Sequence, residues 1–126
     1  MAKGKSVGEY SAKSTSATLS PGPGGSTITA INFEGTGNRA GLGSATIIGT
    51  GTFVGGKSGT YSYCGAAFLD NGETNGATGS GTYESSGTHR WRTVGILQLQ
   101  DGSSVVSEGE IDLATRSWKG MLFENS

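Results

Sequence analysis

The stretch THRWRTVGILQLQ (Thr88–Gln100), followed by Asp101-Gly102 and then SVVSEGEIDL (Ser104–Leu113), decides how the chain is read. Side chains alternate across a β-strand, so each run offers two faces. In the first run His89, Trp91, Thr93, Gly95, Leu97 and Leu99 share one face, and Arg90, Arg92, Val94, Ile96, Gln98 and Gln100 share the other. In the second, Val105, Ser107, Gly109, Ile111 and Leu113 oppose Val106, Glu108, Glu110 and Asp112. Charges collect on one side of both runs, so the odd-numbered positions are expected to face a core. Asp101-Gly102 between them reads as a hairpin turn.

Working outward, the same alternation recurs between regularly spaced turn signals. These are Pro21–Gly25, Asn38–Gly43, Gly55-Gly56, Asn71-Gly72, Ser86-Gly87, Asp101-Gly102 and the weaker Ala114-Thr115. Asn-Gly and Asp-Gly suit type I′ turns, in which both central residues need positive φ. The segments between are rich in Thr, Val, Ile and aromatic residues, and none shows a sustained 3.6-residue apolar period, so no helix is expected. The predicted strands are Ser6–Thr18, Thr27–Gly37, Ser44–Val54, Gly59–Asp70, Thr74–Glu84, Thr88–Gln100, Ser104–Leu113 and Thr115–Glu124. Short connections make sequence neighbours pair, and closure of the sheet removes its two edges. The expected fold is all-β, an eight-stranded antiparallel up-and-down (meander) β-barrel with an internal cavity, in a single domain spanning residues 1–126. A two-sheet sandwich is the alternative, with more crossovers and longer loops.

Composition narrows the function classes. Hydrophobic residues make up only 33% of the 126 residues, and a further 24 are Gly, which has no side chain to bury. Disorder would also fit low apolar content, but the regular strand pattern and the net charge of −1 argue against it. The near-neutral balance leaves no basic stripe for nucleic acid, and no nucleic-acid partner is expected. With no signal-like segment and no apolar run of membrane-spanning length, neither a leader nor a membrane partner is expected. The single cysteine, Cys64, fits a reducing compartment, and a cytoplasmic location is expected. One His and one Cys are too few for a zinc site, so no metal and no cofactor are expected.

The expected inner faces carry Ala45, Ile47, Gly49, Gly51 and Phe53 in the third strand and Tyr61, Tyr63, Gly65, Ala67 and Leu69 in the fourth. Ala77, Gly79, Gly81 and Tyr83 follow in the fifth, and Trp118, Gly120 and Leu122 in the eighth. Ile31, Phe33, Gly35 and Gly37 belong to the second by analogy, and Gly8, Tyr10 and Ala12 are the candidates in the first. From the second strand on, every inner face has a Gly, which serves either to coil the strands or to leave a cavity at the waist. One half of the barrel is therefore aromatic with polar tips and the other aliphatic. The aromatic half reads as the ligand pocket and the aliphatic half as a plug. Histidine is the side-chain type suited to proton transfer near neutral pH, so His89 is the candidate acid/base, with Tyr61 or Tyr63 as proton donor. Phe33, Phe53, Tyr83, Trp91 and Trp118 are the candidate substrate-binding walls. A small hydrophobic or aromatic molecule is the expected partner. Phe68, Met121 and Phe123 on the outer face form an apolar patch if adjacent, from which a homo-oligomer is expected.

Gly51-Thr52-Phe53 with Gly56-Lys57-Ser58-Gly59-Thr60-Tyr61, followed by Trp91 and the closing Arg116-Ser117-Trp118-Lys119-Gly120, resembles small bacterial barrels of the allene oxide cyclase and calycin-like group. The resemblance implies a barrel with a hydrophobic cavity, often oligomeric, used for cyclisation, isomerisation or lipophile binding. Gly81-Thr82-Tyr83-Glu84-Ser85 is also similar to a strand of the avidin family, but that family's opening Gly-Thr-Trp strand is missing and biotin binding is not carried over. Three functions follow in order: a cofactor-independent isomerase, cyclase or lyase working by His/Tyr acid-base chemistry; a non-catalytic carrier or sensor of small hydrophobic ligands; and a structural module with a filled interior.

Overall fold

A computed structural model describes residues 3–125. Eight strands form one closed antiparallel barrel in chain order, β1 pairing with β8 to complete the ring. They are β1 (Lys3–Pro21), β2 (Thr27–Arg39), β3 (Gly43–Gly55), β4 (Ser58–Leu69), β5 (Thr74–Gly87), β6 (Arg90–Leu99), β7 (Ser104–Asp112) and β8 (Ser117–Asn125). The meander expected from the alternating pattern is the observed topology. β1 is longer than expected and shifts register between Ser14 and Ser16, so the strand bends where it passes from β8 to β2.

Two turn expectations are corrected. At Asn71-Gly72 and Asp101-Gly102 only the glycines have positive φ, 95° and 92°. The amides of Gly72 and Gly102 donate to the carbonyls of Leu69 and Leu99. Asn71 and Asp101 accept from the amides of Glu73 and Ser103 through their side chains, at 2.9 Å each. These are longer turns closed by a left-handed glycine, held by side-chain acceptors, rather than two-residue type I′ turns.

The register is as read from the sequence: odd positions face inward from β2 to β7 and even positions in β8. Phe33, Phe53, Tyr61, Tyr83, Ile111 and Trp118 form the buried cluster, with Ala12 from β1. Outward positions such as Thr46, Ser62, Thr78, Ser80 and Thr82 are exposed. Among the described residues no helix is long and apolar enough to cross a membrane.

The outer charges follow the expected cross-strand logic in part. Arg90 stands opposite Asp112 and Arg92 opposite Glu110, but the ion pair of Arg92 is with Glu84 on its other side. Arg116 lies in the last turn and donates to the Leu113 carbonyl instead. Such exposed pairs add little stability each.

The outer apolar patch does not exist as one surface. Phe68 is on β4, while Met121 and Phe123 are on β8, halfway round the ring. Phe123 pairs with Val106, which is buried although it points outward, and the Lys3 ammonium sits 4.3 Å above the Phe123 ring. This removes the premise from which self-association was expected.

Candidate functional site

The barrel has two mouths. One carries the β1–β2, β3–β4, β5–β6 and β7–β8 connections, and the other carries the β2–β3, β4–β5 and β6–β7 connections. The aromatic half lies toward the first mouth, and it is packed solid. Trp118 is its hub: the rings of Tyr10, Phe33, Phe53, Tyr61 and Tyr63 surround it with centroids 5.1–6.3 Å away. Its indole Nε1 donates to Thr93 Oγ1 at 3.0 Å, and Thr93 is wholly buried. Tyr83 packs edge-on against Phe53, and Trp91 lies against the same cluster, partly buried.

The glycines of the waist do not leave a void there, because aromatic rings lie on them. A methyl group on Gly49 would stand under 3.0 Å from three atoms of Tyr63, and one on Gly95 equally close to the Tyr61 hydroxyl. Tyr10 covers Gly109 and Gly120 in the same way. Each tyrosine reaches sideways over the neighbouring strand or the one beyond it, where no Cβ obstructs it. The glycines therefore serve as seats for rings as well as points of sharp coiling.

The open space is in the other half. A pocket of about 140 Å³ runs from the second mouth down to this aromatic floor. Its walls are aliphatic: Ala45, Ile47, Ala67, Leu69, Ala77, Leu97, Leu99 and Leu122 all line it. Three adjacent strands contribute alanine at this level, and short side chains facing one another leave room that larger residues would fill. The expectation that the aromatic half holds the pocket and the aliphatic half plugs the barrel is thus reversed. Aromatic rings carry the most area and fill a small barrel first; aliphatic residues with alanine among them do not fill the remainder.

The floor is polar at three points. The Tyr10 hydroxyl is 2.9 Å from Ser107 Oγ. The hydroxyls of Tyr61 and Tyr63, by contrast, make no hydrogen bond to the protein among the described residues, yet neither is sealed as a buried unsatisfied atom. Both tyrosines line the pocket, and their hydroxyl tips lie over Gly95 and Gly49 at the waist. Burial raises the pKa of each. Tyr63 is pushed from its ordinary 10.0 to about 12, first by desolvation and then by the charges of Cys64 and Tyr10. Tyr61 is raised for the same first cause. Tyr10 is also raised by burial, partly offset by its hydrogen bond to Ser107. At neutral pH these phenols are hydrogen-bond donors and not bases.

That gives a testable pH dependence. Because the folded pKa is raised, the fold favours the neutral phenol, and the associated stability is complete below the ordinary tyrosine value. It is lost as pH climbs from near 10 through about 12 for Tyr63. An ultraviolet titration is expected to show little tyrosinate at the ordinary tyrosine pKa. The denaturation midpoint is expected to fall over the same alkaline range in which the signal finally rises. Tyrosinate forming freely at the ordinary value in the folded protein would contradict the burial of these rings.

His89 is not part of the site. It occupies the turn between β5 and β6, is exposed, and has φ of +52°. That turn lies at the mouth opposite the pocket, so the inward placement assigned to His89 by extending β6 to Thr88 is wrong. A tight turn consumes residues that strand alternation alone would continue. Of the remaining candidates, Tyr61, Tyr63 and Trp118 line the pocket from below. Phe33, Phe53 and Tyr83 lie in the packed core beneath, and Trp91 packs against that core from the far end.

Two participants were missed. Tyr10 has an inward position in β1 but was not singled out. Arg39 falls in the Asn38–Gly43 turn signal of the sequence, whereas β2 continues to it, and the odd-numbered parity of Phe33, Gly35 and Gly37 carries it inward at the rim. Continuing the parity two residues past Gly37 would have found it. Among the described residues, no group of three or more His, Cys, Asp or Glu comes together to hold a metal ion. Comparison with protein-family models, with curated proteins and with solved structures finds no match.

Proposed function

We propose that this chain is a non-catalytic binding barrel for a small, largely apolar molecule carrying an oxygen that accepts from Tyr61 and Tyr63. The observation that carries this reading is a pocket with largely aliphatic walls, floored by two tyrosines whose hydroxyls have no hydrogen-bond partner among the described residues. Ligand sites are typically apolar with a few placed polar groups, and a bound oxygen would supply the hydrogen bonds these donors lack. The acid-base reading of a cyclase or isomerase needs a base beside the tyrosines. His89 is at the wrong mouth, and the phenols stay protonated, so binding is favoured over catalysis. A purely structural module is disfavoured because only half of the interior is filled.

The test is a calorimetric titration with 1-octanol and benzyl alcohol. Saturable binding to the wild-type protein is expected in the micromolar-to-millimolar range. Ala67→Phe places a ring in the pocket from β4 and is expected to weaken binding at least tenfold while the protein still unfolds cooperatively. No saturable binding of either alcohol to the wild type, or equal binding to the folded Ala67→Phe variant, overturns the proposal.

A further inference from the structure

Arg39 is the last residue of β2 and pairs with Gly43 on one side and Gly8 on the other. Its side chain is half-buried and lines the pocket at the rim. It leans across the mouth: Nη1 donates to Ser103 Oγ at 2.9 Å, and Ser103 belongs to the β6–β7 connection, well round the ring. Ser103 Oγ in turn donates to Asp101 Oδ1 at 2.5 Å. The carboxyl of Asp101 is held below its ordinary range mainly by the Ser103 side chain and backbone, with Arg39 a smaller contributor. Arg39 itself makes no ion pair within 4.0 Å among the described residues. It thus meets a neutral hydroxyl, with most of its guanidinium donors left over.

A guanidinium laid over an apolar opening is an amphiphile's counterpart. Its stem packs on aliphatic walls while its planar fork matches a carboxylate with two parallel hydrogen bonds. Partial burial strengthens such a pair relative to one in bulk water. One carboxylate stands nearby, that of Asp101 beyond Ser103. Its negative charge disfavours a doubly charged anion at the rim, which favours a carboxylate over a phosphate. The pocket volume of about 140 Å³ is close to that of an engineered cavity of about 150 Å³ that holds benzene, so a body of about six to eight carbons fits.

We infer that the ligand is a small monocarboxylic acid, its apolar body in the pocket and its carboxylate on Arg39 at the second mouth. This inference rests on the binding reading above and specifies which end of the ligand faces solvent. Displacement of Ser103 Oγ from the guanidinium accompanies binding, so Arg39 exchanges a neutral acceptor for a charged one. That exchange is the source of the selectivity, because hydrogen bonds between ionised partners are about twice as strong as neutral ones.

The experiment compares octanoate with methyl octanoate, which has the same chain without the charge, on the wild-type protein and on Arg39→Met and Arg39→Lys. Wild type is expected to bind octanoate about tenfold more tightly than the ester, a difference of about 1.4 kcal/mol. The ratio is expected to fall to about one in Arg39→Met and to an intermediate value in Arg39→Lys, which keeps the charge without the fork. Raised salt is expected to lower the wild-type ratio. If wild type binds the ester as well as octanoate, or if Arg39→Met keeps the tenfold ratio, the carboxylate assignment is overturned while the pocket stands. If wild type binds octanoate, its ester and 1-octanol not at all, the pocket reading itself fails and takes this inference with it.

Discussion

Trp118→Ala is expected to destabilise the barrel by about 3–5 kcal/mol, the range for removing a large aromatic from a packed core. The reason is its position. Trp118 is 6% exposed and touches rings contributed by β1, β2, β3 and β4, so one deletion loosens half of the circumference at once. Deletion also takes the indole donor from Thr93, whose hydroxyl is buried with no access to water. Trp118→Phe separates the two contributions. It restores most of the ring area and leaves the donor missing, so it is expected to cost about 1–3 kcal/mol, the penalty of a buried polar group losing its partner. Urea denaturation measures both, read as a shift in midpoint with the slope unchanged. A cost below about 1 kcal/mol for Trp118→Ala would mean that the aromatic floor is not the core of this fold. The same variant deepens the pocket, since Trp118 forms part of its base.

Gly49→Ala is expected to cost about 1–3 kcal/mol through overpacking, although it adds a single methyl to a strand. The three nearest atoms it would strike belong to the Tyr63 side chain. In a Tyr63→Ala background the obstruction is gone, and the same substitution is expected to be neutral or slightly stabilising, because alanine restricts the unfolded chain more than glycine does. A double-mutant cycle therefore gives a coupling of about 1–3 kcal/mol between positions 49 and 63. Gly81→Ala supplies the contrast. Its methyl would meet the main chain of Val94 and Gly95 on β6, so removing Tyr63 does not relieve it. Gly56→Ala, with nothing within 4 Å, is expected to be silent. Additive behaviour of Gly49→Ala and Tyr63→Ala would show that these glycines only coil the strands and seat no ring.

The glycine row illustrates how far single-strand reading reaches. Its existence at inward positions is plain from alternation in β2 to β8, and so is its role in curvature. What covers it is not, because a tyrosine reaches the neighbouring strand or the one beyond. Tyr10 lies on Gly120 of β8 and Gly109 of β7, far away along the chain. His89 shows the opposite failure. Alternation carried through Thr88 and His89 runs two residues into a turn, where a side chain's direction is set by a positive φ and not by the pleat. Arg39 is the mirror case, a strand ended too early before a glycine-bearing turn.

The residue pattern alone specified the all-β class, the meander order, and which side of each strand turns inward, because charges and apolar residues separate with a period of two. It also determined that the aromatic and aliphatic residues occupy opposite halves, since antiparallel order assigns each strand end to a mouth. Which half is open emerges only in the closed barrel. That outcome depends on how rings from different strands share one small interior, and packing volume is a property of the closed barrel that no single strand carries. The closed barrel likewise decides that Arg39 bridges the mouth to Ser103, a contact made possible when closure brings β2 and the β6–β7 turn around the same opening.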